Sequence, residues 1–361
     1  MKAVTIGGRN FVGEIQQKIG GTKMKKMIAG FVFVLMIGLL AACGSADQQI
    51  GKASAEGEKG NGPVEIKLGV GYATEENLWL IKVASDLAPN YGEKYTLDLQ
   101  QFRANTDRLN AYRAGQIQGG SIGQGAAIMS AAQGINLKIV ANIAKETPGE
   151  GFNSAFMGLK DAGLESAADL KGKTIGIPDF KSPTDMWARS AVKAAGLDPD
   201  KDVKYAVLPT PAVEEAVKSG KIDVGLFPQP FYEMAQEAGE LKTVFTSKDG
   251  VPIDEDFLNL FLHPDFIAEH EEAVRALVED LQYMTRYYVE NKKEARQKLL
   301  DAEFVLSEPE IYLNLVDYNR SIDSSLTKES WELVQEILLE DEWIEQKVDL
   351  DELIDDSFLA K

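Results

Sequence analysis

The heptapeptides AGQIQGG (114–120) and SGKIDVG (219–225) are two copies of one pattern. Each follows an amphipathic stretch, TDRLNAYR before the first and PAVEEAVK before the second. Each leads into a turn with glutamine at the same offset, Gln124 and Gln229, so both spacings are 105 residues. A second echo agrees: IKLGVGYATEENLW (66–79) resembles TIGIPDFKSPTDMW (174–187) at a spacing of 107 to 108. Both segments read as strand, polar loop and helix start. A period of roughly a hundred residues is too long for a solenoid. It implies two similar α/β lobes, which enclose a cleft at the carboxyl ends of their strands, where open α/β sheets bind ligands. The loops expected to face that cleft are 71–76, 121–125, 180–185 and 227–230. A single G-x-I-x-x-G echo is a generic helix-to-strand corner; two echoes at matching spacing are more specific.

The surrounding pattern is consistent with α/β layers and mainly parallel strands. IKLGV (66–70), KIVANI (138–143), TIGI (174–177), VKYAVL (203–208) and IDVGLF (222–227) are short β-branched runs. Amphipathic stretches at 185–195 and 213–218 lie between them. After His263 the pattern turns helical: residues 271–289 keep apolar side chains at Val274, Leu277, Val278, Leu281 and Met284, a spacing of three and four. Two more helices are expected, one from Ser307 with Pro309 in its first turn and one from Thr327.

Composition excludes several chemistries. The 361 residues carry 38 Lys+Arg against 57 Asp+Glu, a net charge of −19, with two histidines and one cysteine. One cysteine forms no internal disulfide and no cysteine cluster for zinc or iron–sulfur, and two histidines leave little for a metal site. No cofactor and no metal are expected. The acidity argues against nucleic acid as a partner, because phosphate contacts need a basic face.

The amino-terminal region reads as a targeting segment. IAGFVFVLMIGLLAA (28–42) is an apolar or small-residue run of 15, preceded by Lys23, Lys25 and Lys26. It falls short of the roughly 20 residues that span a bilayer and fits a secretory signal peptide. Met24 begins close to these lysines, and Gly20-Gly21 upstream would be encoded by purine-rich codons like a ribosome-binding site. Met24 is therefore the expected start, with 1–23 an untranslated leader or extension and 24–42 the signal peptide. Residues 43–63, GSADQQIGKASAEGEKGNG and its flanks, hold one large apolar residue, Ile50, and read as a flexible tether. Removal of residues 1–42, with their six basic side chains and one acid, leaves 319 residues at a net charge of −24.

Leu40-Ala41-Ala42-Cys43 resembles the lipobox of bacterial lipoproteins, which implies lipidation (palmitate) of Cys43 and a lipid anchor on the extracytoplasmic face of the cell membrane. A lipobox followed by two α/β lobes resembles the solute-binding lipoproteins of ABC importers. DLKGKTIGIP (169–178), AVKAAGLDPDKDV (191–203), the segment 114–134, HPDFIAEHEEAVRAL (263–277) and DLDELIDDSFL (349–359) are similar to the binders of aliphatic sulfonates, taurine, nitrate and thiamine-pyrimidine precursors. The likeness covers most of residues 64–359. It implies an α/β, two-lobed type II periplasmic-binding-protein fold with a helical C-terminal part packed on the first lobe. It further implies two chain crossings, near 146–156 and 248–262, so that 64–148 with 250–361 form lobe 1 and 149–249 lobe 2. The implied partners are a small-molecule ligand and an ABC transporter permease, with the protein a monomer and not an enzyme. The implied solute is small and polar or anionic, of the aliphatic sulfonate, taurine or nitrate class. The alternatives are a thiamine-pyrimidine precursor, or an enzyme on the same fold. The related synthases use a cysteine-rich motif and a histidine; here Cys43 is committed to lipid, and His263 and His270 lie in the C-terminal part.

The candidate ligand-binding residues sit in the four loops. Gly71 and Tyr72 follow the first strand, and Thr74 is expected to cap the helix after it. Gly123, Gln124 and Gly125 form a turn where backbone approaches a ligand, and Gln124 and Gln229 can each donate and accept. Ser182, Pro183 and Asp185 satisfy the N-cap, N1 and N3 positions of a helix, which accounts for them structurally. The same N-terminus, with the Ser182 and Thr184 hydroxyls, could instead hold an anionic oxygen. Lys181 is the nearest basic candidate, and Arg103, Arg108, Arg113 and Arg189 read mostly as solvated surface. Trp79 and Trp187, in early helical turns, read as core. In many relatives an acid stands in the turn where this chain has Phe227-Pro228-Gln229-Pro230. Its loss predicts a cleft with less negative charge, disfavouring an amine.

Overall fold

A computed structural model describes residues 62–360 except 72–73, 103–104 and 306. The leader, the signal peptide, Cys43, nearly all of the tether, Tyr72 and Arg103 lie outside the described residues.

Ten strands form two five-stranded sheets. β1 (Val64–Val70), β2 (Tyr95–Gln101), β3 (Gly119–Gly123) and β4 (Lys138–Glu146) belong to the first sheet. β5 (Ala155–Leu159), β6 (Thr174–Ile177), β7 (Lys204–Val207), β8 (Val224–Phe227) and β9 (Leu241–Thr246) form the second. β10 (Glu255–Leu262) returns to the first. The orders are β2-β1-β3-β10-β4 and β7-β6-β8-β5-β9, the same arrangement twice. Four strands in each sheet share a direction; β10 and β5 run against their neighbours. Those two arrive from the other sheet, so they enter from the opposite end. The expected mainly parallel α/β fold with two lobes is what the chain adopts.

The repeat has a physical basis in paired glycines. Gly69 of β1 faces Gly120 of β3, and Gly176 of β6 faces Gly225 of β8. These are the positions that the two sequence echoes align. An added Cβ on Gly120 would lie 2.1 Å from the Gly69 carbonyl oxygen, so the strands pair only because Gly120 has no side chain; a Cβ on Gly69 would instead press on Arg108 and Ile117 at 2.7 Å.

Short helices follow the parallel strands: α1 (Glu76–Val83), α2 (Asn105–Arg113), α3 (Gln124–Ala132), α4 (Pro183–Ala194), α5 (Val213–Lys218) and α6 (Phe231–Ala238). α1 is buried on nearly every side, because the long helix Glu271–Glu290 and the helix Lys292–Asp301 cover it. The long helix buries Val274, Leu277, Val278, Leu281 and Met284 completely. Each such side chain contributes about 1.5–3 kcal/mol of transfer free energy. The polar side chain inside this layer is satisfied: Asn77 Nδ2 donates to Ile143 O at 3.1 Å and Thr285 Oγ1 at 2.8 Å. The C-terminal helix Lys328–Glu340 packs on α3 and β10.

Candidate functional site

The carboxyl ends of β1, β3 and β8 converge with the start of α4 on one cavity of about 550 Å³. Gly71, Thr74, Gly123 and Gln229 line it, so the structure gathers loops from both sheets around one space. The sheets approach closely there: an added Cβ on Gly123 would stand 3.2 Å from Pro183 Cγ. The remaining described candidates do not line the cavity. Gln124 begins α3 fully buried, its Nε2 donating to Ser330 Oγ at 3.1 Å. Gly125 packs toward Val334 and Met186. Lys181 is exposed at a φ of 53°. Thr184 is buried, and neither it nor Ser182 lines the cavity.

Ser182 acts as the N-cap of α4, accepting from the Asp185 N–H at 3.3 Å. Asp185 Oδ2 accepts from the Lys181 N–H at 2.8 Å, and Oδ1 from Arg189 Nε at 2.8 Å. The capping role of this turn is thus observed, displaced by one residue from a reciprocal box. Gln229 Nε2 donates to Glu233 Oε1 at 2.8 Å and to Val316 O, tying the second-repeat turn to the C-terminal segment.

Three expectations are corrected. Thr74 does not cap α1: the N-cap is Glu75, without a side-chain cap bond. Thr74 instead sits at a φ of 76°, its carbonyl accepting from Arg320 Nη1 at 3.1 Å. Arg108 is not solvated surface; it is 7% exposed, donates to Ser121 Oγ and to Asn105 Oδ1, and lines the cavity. Finally, the cavity does not lack acid, since Glu75, Glu76 and Glu303 line it. Glu75 and Glu76 escape notice in sequence because acids in a first helical turn are ordinary helix-start residues. Glu303, Phe304, Val305 and Tyr312 come from a segment that no local motif marks; only tertiary packing brings it to the cavity.

Glu75 is the most enclosed polar group there, at 1% exposure. Its Oε1 accepts from the Gly71 N–H at 2.8 Å and from Ser121 Oγ at 2.5 Å. Arg108 Nη1 stands 3.7 Å from that same oxygen. Burial pushes the Glu75 carboxyl above the usual carboxylate range, against the pull of Arg108 and these hydrogen bonds. Burial also lowers Arg108, against the pull of Glu75. The Trp79 indole, one turn along, faces the carboxyl without hydrogen-bonding geometry, and Trp79 is both fully buried and part of the wall. Trp187 is core as expected, its Nε1 donating to Glu255 Oε2 at 3.0 Å.

Two chain crossings join the sheets, and one carboxylate holds both. Glu146, the last residue of β4, accepts from Ser154 Oγ at 2.6 Å in the first crossing and from Ser247 Oγ in the second. Thr147 Oγ1 donates to Asp254 Oδ1 at 2.6 Å, a further bond between the crossings. Lys248 lies 3.9 Å from Glu146 and 2.9 Å from Glu255. Burial pushes the Glu146 carboxyl up to about 7; Lys248 and the two serines oppose the rise, and Glu255 adds to it. A raised acid stabilises the fold fully below its unfolded value near 4.5, and that stability is lost as pH rises through about 7. Between pH 5 and 8 the protein should lose up to about 3 kcal/mol relative to a Glu146→Gln variant. Parallel urea-unfolding curves for both proteins check this; equal slopes against pH would exclude it.

Among the described residues, no group of three or more His, Cys, Asp or Glu is placed to hold a metal ion. The family model described as NMT1/THI5 like matches residues 94–295. A protein of Brucella abortus (strain 2308) named as a binding protein is 27% identical over 210 residues, 57% of this chain. The match spans 58% of that relative's own length. Among solved structures, the ligand binding component of an ABC-type import system from Staphylococcus aureus, with zinc bound, superposes with a TM-score of 0.68 at 19% identity. That superposition covers 82% of this chain and 97% of the other. The periplasmic aliphatic sulphonate binding protein of Escherichia coli gives a TM-score of 0.66 at 17% identity, covering 80% and 91%. At these identities the structural likeness establishes the fold.

Proposed function

Because the chain belongs to the NMT1/THI5-like family, we propose that it is the extracytoplasmic solute-binding component of an ABC importer. It captures a small polar or anionic solute between its two lobes and delivers it to a permease. The observation that carries this reading is the cavity itself. It is lined by loops of both sheets, and only two crossings, held at Glu146, connect those sheets. Such a connection suits hinge closure: the solute touches both lobes only in the closed state and so shifts the population toward it.

The curated relatives carry binding-protein names, which supports binding over catalysis. The sulphonate-binding neighbour supports the aliphatic sulfonate, taurine or nitrate class as first candidates. The lipobox ending at Cys43 supports palmitate anchoring to the membrane, with the tether spacing a monomeric body from it.

A thermal-shift screen with alkanesulfonates, taurine, nitrate and thiamine precursors tests the binding. A solute at 100 times its dissociation constant stabilises by about 2.7 kcal/mol. No stabilisation by any of them, together with turnover of one, would favour the enzyme. Radiolabelled palmitate in cells tests the anchor, and uptake by a Cys43→Ala variant would exclude it.

A further inference from the structure

The charge and the walls of the cavity disagree with a bare anion. Its acidic lining residues are Glu75, Glu76 and Glu303, and Arg108 is the one basic side chain among the described lining residues. Arg320 pairs with Glu76 at 2.6 Å, and among the described residues Arg108 is the cation paired with Glu75, at 3.7 Å. The terminal nitrogens of Arg108 donate to Ser121 and Asn105, and its buried Nε has no partner among the described residues. Glu75 meanwhile keeps an unused acceptor. Its Oε1 takes two hydrogen bonds, whereas its buried Oε2 takes none among the described residues, and the unpaired Trp79 indole N–H is the protein donor that faces the carboxyl. An ionised carboxylate offers about four lone-pair sites, and buried polar atoms are nearly always paired. The walls around it are rings: Trp79, Phe102, Phe257, Phe304 and Tyr312. Aromatic faces attract a cation and repel an anion.

Resting on the solute-binding reading of this cavity, we infer that the solute carries an amino or ammonium group that donates to Glu75, its carbon skeleton lying against the rings. Glu75 is then the residue that sets specificity. Of the solutes named above, taurine and the aminopyrimidine precursors of thiamine carry such a group, whereas nitrate and unsubstituted alkanesulfonates do not. The glutamine at position 229, which by itself disfavours an amine, is overridden by an acid from the other sheet. The elevated carboxyl of Glu75 fits this role, because a cationic donor would restore its charged form.

Matched pairs test the inference by calorimetric titration of the full chain in detergent: taurine against ethanesulfonate, and benzylamine against benzoate. The amine of a pair should bind more tightly, and Glu75→Gln should weaken it on the order of 30-fold, the worth of a charge-assisted hydrogen bond. The same substitution should not weaken the partner without an amine, because removing a carboxylate lessens repulsion of an anion. Tighter binding of ethanesulfonate or benzoate, or amine binding indifferent to Glu75→Gln, overturns the inference. A bacterial metabolite extract is the second probe, applied before and after N-acetylation. Thermal stabilisation lost on acetylation supports the amine, and stabilisation that survives it overturns the amine while solute binding stands. An extract inert before acetylation overturns the solute-binding reading together with the inference.

Discussion

Arg320→Ala should destabilise the protein by about 3–5 kcal/mol, the cost of leaving a buried partner charge uncompensated. The Arg320 side chain is 1% exposed and stands 2.6 Å from Glu76 Oε2 and 3.4 Å from Asp317 Oδ1. Its Nη1 donates to Thr74 O, Asn77 Oδ1 and Ile143 O at 3.0–3.2 Å, and its guanidinium lies over the Tyr288 ring. One side chain thus joins the C-terminal segment, β4, the long helix and the loop before α1. Removing it strands Glu76, which is less than a tenth exposed, whereas Asp317 keeps Lys292 at 3.5 Å and Arg296 at 3.7 Å. Arg320→Lys should recover little, because an ammonium cannot reproduce the planar fork. Ligand affinity should fall as well, since Thr74 lines the cavity at a φ of 76° and loses the donor that holds its carbonyl. Urea unfolding measures the stability loss; a cost below about 1 kcal/mol would place this cluster with surface ion pairs.

Gly120→Ala should cost about 3 kcal/mol or more, beyond ordinary overpacking. The new methyl would lie 2.1 Å from the Gly69 carbonyl oxygen, and hydrogen-bonded strands about 4.8 Å apart cannot part locally without breaking their ladder. The equivalent change in the second sheet, Gly225→Ala, should cost less, about 1–2 kcal/mol. There the nearest atoms are side-chain methyls, Val213 Cγ1 at 2.5 Å and Ile222 Cδ1 at 3.1 Å, which can shift. Equal losses in the two variants, read from denaturation midpoints, would contradict this asymmetry. The repeat preserves a sequence pattern, yet its two copies impose different constraints.

Legibility followed the physics of each element. β6 and α5 were readable to the residue, as TIGI and VEEAVK, because β-branched runs and amphipathic spacing are local signals. The long helix after His270 was readable for the same reason. β3 was not, because GGSIG carries glycines where a strand normally shows side chains; those glycines serve the close approach to β1 and β10. β10 opens with Glu255 and Asp256, two acids buried in the sheet, so no hydrophobic alternation announces it. Its direction depends on where the chain arrives from, which lies far away in sequence.

The sequence by itself determined the two-lobed α/β plan, because a duplicated strand–loop–helix pattern at one spacing admits few other folds. It also located four residues of the cavity, Gly71, Thr74, Gly123 and Gln229, since loops after parallel strands must face one end of a sheet. Only the tertiary structure decided the character of that cavity. Its charge depends on which acids are paired: Glu76 by Arg320, 244 residues away, and Glu75 by Arg108 through Ser121. Its walls depend on a C-terminal segment folded across both sheets. Such contacts are long-range, and electrostatics in a buried site is set by distance and desolvation rather than by position along the chain.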